Sequence, residues 1–175
     1  MATLERVGRL SVPEGLPALL RDLIHEYTGI FFDASRFDIM LEKVGDLIQT
    51  RGHSSFMEYY YLLKYEDKNR VEWQQLIEVL SVQETYFWRE MGQVRALVNV
   101  LVPRWFKEDQ RPLRIWSAAC ATGEEPYTIA IALAEAGWAD HPIEIVASDA
   151  SLVALAKAQK AHYRERSLRS LPEHC

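Results

Sequence analysis

Cysteine is scarce in this chain, which has only Cys120 and Cys175 among its 175 residues. Neither thiol lies in a metal-binding spacing such as CxxC, and no HExxH pattern is present, so the sequence predicts no metal site. A protein with so little cysteine fits a reduced, cytoplasmic setting, and we expect that location.

The chain also lacks the positive charge that is typical of a nucleic-acid-binding protein. Its formal net charge is −5 at pH 7. No run of Lys or Arg is interleaved with aromatic residues, which is the pattern that such proteins carry. Nucleic acid is therefore not an expected partner.

Long apolar runs are absent as well. Near the N-terminus, Glu5, Pro13, Glu14 and Pro17 interrupt the apolar residues, so the continuous apolar core of a signal peptide is missing. No segment approaches the roughly 20 apolar residues that span a bilayer. The sequence predicts no direct insertion into a membrane.

Helical periodicity dominates the part of the chain between Gly15 and Gln110. Apolar residues recur there at three-to-four-residue spacing, which predicts helices whose apolar stripes pack in a core rather than bind a cofactor. Candidate caps then give four helices: one ending at Gly29, one from about Ser35 to Gly52, one opened by Ser54 or Ser55, and one from about Asn69 to Leu80. A fifth helix is expected from about Trp88 to Phe106, with Pro103 marking a kink or an early end.

Strands and helices alternate in the remainder of the chain. This order predicts a parallel sheet, because a crossover helix returns the chain beside the previous strand. Such sheets are covered on both faces and their edges need partner strands, so further strands are expected after Cys175. The predicted elements are a strand from Leu113 to Ala118, a helix after Thr122 to about Trp138, a strand from Ile143 to Ala147 and a helix from Ser151 to His162.

The turn after the first of these strands has the position of a nucleotide-binding turn. Small residues from Ser117 to Gly123 let a ligand approach the backbone, but Gly123 is the only glycine among them. Glu124 and Glu125 follow, and their carboxylates would repel a pyrophosphate while suiting an amino group or a sulfonium. The turn therefore favours S-adenosylmethionine (AdoMet) over a dinucleotide.

Each acidic residue of this region has a second interpretation. Asp149, at the end of the second strand, either accepts hydrogen bonds from ribose hydroxyls or caps the helix that begins near Ser151. Glu124 and Glu125 either meet a cationic ligand or simply favour a helix N-terminus through the helix dipole. Asp149 and the preceding turn together favour ligand binding.

Four segments resemble the CheR family of chemoreceptor glutamate methyltransferases. WSAACATGEEPYTIAIAL (116–133) is similar to the AdoMet-binding motif of that family, and VQETYFWRE (82–90) is similar to its segment at the domain junction. GIFF (29–32) and IVASDASLVALAKAQKAHY (145–163) are further matches. The resemblance covers about residues 15–172.

The resemblance implies a fold of class α + α/β and a set of ligand-binding residues. An all-helical N-terminal domain (1–90) and a linker helix (91–110) would precede the first β-α-β-α part of a Rossmann-like, AdoMet-dependent methyltransferase domain (111–175). Arg89 would lie near the methionine part of the cofactor, as the one catalytic residue, unless it forms a surface ion pair with Glu84 or Glu90. The implied cofactor-binding residues are Gln83, Thr85, Arg89, Ala118 through its backbone, Glu124 at the amino-acid portion and Asp149 at the ribose.

The activity that the resemblance implies is transfer of a methyl group from AdoMet to glutamate side chains in the cytoplasmic helical region of a chemoreceptor. S-adenosylhomocysteine (AdoHcy) would be the product. A glutamate with an ordinary pKa of about 4.3 is already ionised at pH 7, so the nucleophile needs no general base. Catalysis can therefore rest on the placement of the reacting groups.

Some positions depart from the family pattern. Gln83 replaces the usual Asn and Trp88 replaces a Phe, and both changes are tolerable. Where relatives have a basic stripe on the second helix, this chain has a mixed, solvated face composed of Arg36, Asp38, Glu42, Lys43, Asp46 and Arg51. Two other hypotheses stay open: a non-catalytic module of the same family that docks on a receptor, and a methyltransferase that acts on a small molecule.

Overall fold

A computed structural model of the chain describes residues 5–7, 10–109 and 111–170, with side chains described from Leu10 onward. Gln110 and Cys175, which the sequence analysis used as boundaries, lie outside these ranges. The chain forms two compact units, Met1–Val82 and Gln83–Cys175. Among the described residues, no helix combines the length and the apolar character needed to cross a membrane.

The first unit is helical apart from a short antiparallel hairpin. Gly29 and Gly52 end the first two helices in left-handed backbone conformations, and Ser55 caps the third by accepting a hydrogen bond from the Glu58 N–H at 3.1 Å. The elements are β1 (Glu5–Val7), β2 (Leu10–Val12), α1 (Leu16–Thr28), a 3₁₀ turn (Ala34–Arg36), α2 (Phe37–Arg51), α3 (Phe56–Tyr61) with a π turn (Leu62–Glu66), and α4 (Val71–Leu80).

The core of this unit collects the apolar stripes of its helices. Ile24 of α1, Met40 and Ile48 of α2, Tyr59 of α3 and Leu76 of α4 are all fully buried in one cluster. Burial of this kind is the main stabilising contribution to a small helical unit. The predicted all-helical domain is thus confirmed, with the β1–β2 hairpin as an addition that the sequence did not suggest.

The second unit contains the predicted alternation of strands and helices. β3 and β4 pair in parallel, with Leu113 opposite Ile143 and Ala118 opposite Ser148 at the two ends of the ladder. The elements are α5 (Met91–Ala96), a π turn (Leu97–Leu101), α6 (Val102–Glu108), β3 (Leu113–Ala118), α7 (Glu124–Glu135), β4 (Ile143–Ser148), α8 (Leu152–Lys160) and a 3₁₀ turn (Glu165–Leu168). The Rossmann-like β-α-β-α order is confirmed.

Pro103 does not end the helix in which it lies. It occupies the first turn of α6, directly after the π turn, and the helix continues to Glu108. Proline removes one backbone N–H and crowds the carbonyl four residues earlier, and a widened π turn accommodates both effects. The start of α5 also differs from the sequence expectation, because Trp88 and Glu90 adopt left-handed φ angles of 62° and 54° that interrupt a helix.

One apolar cluster joins α5, the π turn and α6 to the parallel sheet. Val94, Val98 and Val102 pack with Ile129 and Leu133 of α7 in that cluster. The segment predicted as a linker helix therefore packs inside the second unit. The division of the chain at residues 90 and 110 stays a prediction.

Candidate functional site

The turn between β3 and α7 forms the centre of the candidate site. Ala118 is the last residue of β3, and Ala119, Ala121 and Gly123 then adopt positive φ angles of 59°, 48° and 98°. A side chain at Gly123 would be excluded, because a Cβ atom there would lie 2.8 Å from the Tyr163 hydroxyl oxygen. The chain therefore turns sharply at the carboxyl end of the strand, where open α/β sheets bind ligands.

Asp149 holds this turn against the end of the neighbouring strand. Its Oδ2 accepts a hydrogen bond from the Ala121 N–H at 2.8 Å, and its Oδ1 accepts one from the Ser151 N–H at 2.8 Å. Ser151, rather than Asp149, caps α8, since its hydroxyl oxygen accepts the Ala154 N–H at 2.9 Å. Each carboxylate oxygen of Asp149 keeps a further lone pair with which it can accept a hydroxyl group.

Glu124 begins α7 with a buried carboxylate. Its side chain is only 3% exposed. Thr122 Oγ1 donates to Oε2 at 2.6 Å, and Ser167 Oγ donates to Oε1 at 3.0 Å. The next carboxylate, that of Glu125, accepts the Ser117 hydroxyl at 2.6 Å. The two glutamates therefore have different surroundings, and Glu124 is the one enclosed by the protein.

No cation balances these carboxylates within the part of the chain that the structure describes. The ion pairs formed there include neither Glu124 nor Asp149. A buried charge is costly unless it is paired, and hydroxyl donors supply hydrogen bonds but no opposite charge. The site is thus suited to a ligand that brings its own positive charge.

The segment that contains Gln83, Thr85 and Arg89 meets the start of α7 through Trp88. Gln83 and Thr85 are half-buried, and Arg89 is exposed. The Trp88 N–H donates to Thr128 Oγ1 at 3.2 Å, and the same hydroxyl donates to the Glu124 carbonyl at 2.6 Å. The structure therefore connects the segment directly to the start of α7.

Arg89 uses its guanidinium within its own segment. Nη1 donates to the backbone carbonyl of Glu84 at 2.6 Å, and the guanidinium carbon lies 5.8 Å from the centre of the Tyr86 ring. Arg89 has no ion pair with Glu84 or Glu90 among the contacts of the described residues. Its guanidinium retains further N–H donors for an anionic or polar ligand group.

Two residues after α8, Tyr163 and Ser167, also contact the site, and no sequence motif indicated a role for them. The Tyr163 hydroxyl donates to the Thr122 carbonyl at 2.8 Å, and Ser167 reaches Glu124 as described above. Burial, together with the nearby Glu124 carboxylate, raises the pKa of Tyr163 to about 12, so this phenol remains a hydrogen-bond donor at pH 7. A single serine or tyrosine about 40 residues from its partner gives no periodic signal in a sequence.

A cavity of about 300 Å³ lies next to the turn but is chemically different. Cys120 and Gly123 line one side of it, and its other walls are mainly apolar side chains of α7, β4 and α8, such as Ala130, Ile145 and Leu155. Neither Glu124 nor Asp149 lines this cavity. We therefore place the candidate site at the carboxylates and not in the cavity.

The donor set of the site fits AdoMet. Asp149 offers carboxylate oxygens for hydroxyl groups, and Glu124 offers a buried anion for an ammonium or a sulfonium. Ala118 and Ala119, at the start of the turn, are exposed residues against which a ligand can lie. The carboxylates of Glu124 and Asp149 would repel a phosphate, so a dinucleotide fits the site less well than AdoMet does.

Comparisons with known proteins agree with this chemistry. Residues 83–175 match the family described as "CheR methyltransferase, SAM binding domain", and residues 18–81 match "CheR methyltransferase, all-alpha domain". The first description confirms AdoMet (SAM) as the methyl donor of the family. The two matches meet within a residue or two of the boundary between the compact units.

Curated relatives are named chemotaxis protein methyltransferases. The chain is 36% identical over 158 residues to chemotaxis protein methyltransferase 2 of Vibrio cholerae, which covers 87% of this chain and 54% of that protein. It is 35% identical over 154 residues to chemotaxis protein methyltransferase 2 of Pseudomonas aeruginosa, covering 87% and 53%. For the chemotaxis protein methyltransferase of Escherichia coli the identity is 30% over 169 residues, covering 96% and 57%.

These relatives are longer than the chain, which spans little more than half of their length. Both of its compact units nevertheless match a domain of the same family. The chain belongs to the CheR methyltransferase family.

Proposed function

We propose that the protein is an AdoMet-dependent protein-glutamate O-methyltransferase that modifies chemoreceptors in the cytoplasm. The observation that carries the proposal is the buried Glu124 carboxylate, which has hydroxyl donors but no cation among the described residues. In this proposal the ammonium of the cofactor's amino-acid portion supplies the missing charge. Asp149 then binds the ribose, and the turn at Ala118 lies against the ligand.

In this proposal the chain's own residues act mainly by binding and orienting the cofactor and the substrate. AdoMet, when bound, supplies a methyl group on a positively charged sulfur. The substrate glutamate is ionised at pH 7 and attacks without a general base. Gln83 and Thr85 bind the cofactor from one side, and Arg89 holds either the cofactor's carboxylate or the incoming glutamate through a charge-assisted hydrogen bond. Alignment of the reacting groups provides most of the acceleration.

The cofactor part of the proposal is tested by calorimetric titration. AdoMet and AdoHcy are titrated into the chain and into the variant Asp149→Ala, with Asp140→Ala, an exposed aspartate in the turn before β4, as the matched control. We expect heat of binding for the chain and the control, and at least tenfold weaker binding for Asp149→Ala. Binding that Asp149→Ala does not weaken would contradict the assignment.

The substrate part is tested by methyl transfer to receptor-containing membranes. Label from methyl-labelled AdoMet should enter the receptor and leave it as methanol in alkali, because alkali hydrolyses methyl esters and not methylated amines. Label that resists alkali, or that enters only small molecules, would favour the alternative methyltransferase. Cofactor binding or receptor binding without any transfer would favour the non-catalytic docking module.

A further inference from the structure

The orientation of the Glu124 carboxylate depends on a residue far along the chain. Ser167 Oγ donates to Glu124 Oε1 at 3.0 Å, and the two residues are separated by 43 positions. Thr122 Oγ1 holds the other oxygen at 2.6 Å. The two hydroxyls thus hold both oxygens of the Glu124 carboxylate, and the residue is only 3% exposed. This restricts the direction in which the remaining lone pairs of the carboxylate point.

Ser167 also holds the segment that precedes α5. Its backbone carbonyl accepts the Phe87 N–H at 2.8 Å, and Phe87 is buried. The Phe87 ring meets the Tyr163 ring edge to face, with centroids 4.8 Å apart. Ser167, in the Glu165–Leu168 turn, therefore contacts both Glu124 and the segment that carries Arg89. These are the two groups that the proposed function places at the amino-acid portion of the cofactor.

We propose that Ser167 is a positioning residue for the amino-acid portion of the cofactor, acting through the Glu124 carboxylate. This inference rests on the proposed function. The side-chain hydroxyl aims the carboxylate at the ligand's ammonium, and the backbone carbonyl keeps the Phe87 segment beside it. Since a carboxylate with an unfixed rotamer must be ordered when the ligand binds, loss of the hydroxyl weakens binding at that end of the ligand.

Alanine at position 167 separates the two contacts of the serine. It removes the hydroxyl that reaches Glu124 and keeps the carbonyl that accepts from Phe87. Ser167 is only partly buried, so the change leaves no large cavity. The variant Ser167→Thr keeps a hydroxyl and provides the conservative rescue. Ser170→Ala, at an exposed serine of the same segment, is the matched control.

The experiment measures dissociation constants calorimetrically for two ligands. AdoHcy has the amino-acid portion, and 5′-methylthioadenosine has the same nucleoside and sulfur but lacks that portion. We expect Ser167→Ala to bind AdoHcy about tenfold more weakly, equivalent to about 1.4 kcal/mol. Its affinity for methylthioadenosine should equal that of the unmutated chain. Ser167→Thr should recover most of the loss, and Ser170→Ala should show none.

The results distinguish failure of the Ser167 proposal from failure of the cofactor assignment. Unchanged AdoHcy affinity in Ser167→Ala refutes the positioning role. An equal loss for both ligands also refutes it, because a general disturbance of the fold would weaken both. Failure of the unmutated chain to bind AdoHcy at all refutes instead the cofactor assignment on which the inference rests. A melting temperature measured for each variant identifies loss of folded protein.

Discussion

Replacing Gly123 by alanine tests the account of the candidate site most directly. Gly123 has a φ of +98°, and a Cβ atom there would lie 2.8 Å from the Tyr163 hydroxyl oxygen and 2.9 Å from the Ala158 Cβ. The Ala158 Cα would be 3.2 Å away, so the backbone of α8 as well as a side chain resists the added methyl group. Either Tyr163 and α8 move or the turn opens, and both changes disturb the residues around Glu124.

The magnitude follows from two separate costs. A left-handed backbone costs a residue with a Cβ about 1–2 kcal/mol. Insertion of a methyl group into a packed site costs about 1–3 kcal/mol more, so we expect the free energy of unfolding to fall by about 2–5 kcal/mol. Gly137→Ala is the matched control, because Gly137 has a φ of +84° but nothing lies within 4 Å of its added Cβ. That variant should lose about 1–2 kcal/mol.

Substitution of a third glycine, Gly92, should change the free energy of unfolding in the opposite direction. Gly92 lies in α5 without a positive φ, and its added Cβ meets nothing within 4 Å. Gly92→Ala should therefore be neutral or stabilise the protein by up to about 1 kcal/mol, since alanine loses less conformational freedom on folding. The three substitutions thus separate the effects of helix propensity, backbone strain and steric conflict.

Urea unfolding followed by tryptophan fluorescence provides the assay. Four of the five tryptophans, Trp88, Trp105, Trp116 and Trp138, lie in the same unit as these glycines. The urea concentration at the midpoint of unfolding should be highest for Gly92→Ala, lower for Gly137→Ala and lowest for Gly123→Ala. The dependence of the unfolding free energy on urea concentration should be similar for all three variants. If Gly123→Ala is as stable as Gly137→Ala, the close packing of Tyr163 and Ala158 on the turn is wrong.

Three further predictions concern other groups. Because the folded state raises the pKa of Tyr163 from 10.0 to about 12, it favours the neutral phenol, and this contribution to stability is lost as the pH rises from about 10 to about 12. Tyr163→Phe should reduce that loss in urea titrations at the two pH values, and an unchanged profile would contradict it. Burial raises the pKa of Cys120, so in a Cys175→Ser variant its alkylation at pH 8 should be far slower in buffer than in urea. Equal alkylation rates would show that the thiol is accessible. Ser55→Ala should lower the stability of the first unit by about 1 kcal/mol, measured by helical circular dichroism, because the Glu58 N–H loses its cap. Ser54→Ala should cost less, and the reverse order would contradict the assigned cap.

Periodic patterns explain why most of the fold was predictable. The spacing of apolar residues within each helix predicts which helix face is buried. Ile24, Met40, Ile48 and Leu76 lie on these faces, and all four side chains are in the core. The β1–β2 hairpin was not predicted, because strands of three residues are too short to show an alternating pattern. The late start of α5 was also not predicted, since nothing in the sequence marks Trp88 and Glu90, which precede the helix, as left-handed residues.

The residues of the candidate site were likewise predictable only in part. The family resemblance indicated Glu124 and Asp149, and the structure joins the turn after β3 to Asp149 through the Ala121 N–H. The resemblance gave no role to Ser167 or Thr128. Their hydroxyls contact Glu124 and the Trp88 N–H through hydrogen bonds that exist only in the folded chain. Long-range hydrogen bonds of single hydroxyl groups have no counterpart in local sequence patterns.

The left-handed alanines in the turn have a consequence for the thermodynamics of binding. Ala119 and Ala121 adopt conformations that glycine would adopt with less strain. Glycine there would also give the loop more conformations in the unbound protein. With alanine, and with Asp149 bonded to the Ala121 N–H, the loop is preorganised before a ligand arrives. The loop then loses little conformational entropy when a ligand binds, so the ligand's contacts with the protein determine most of its affinity.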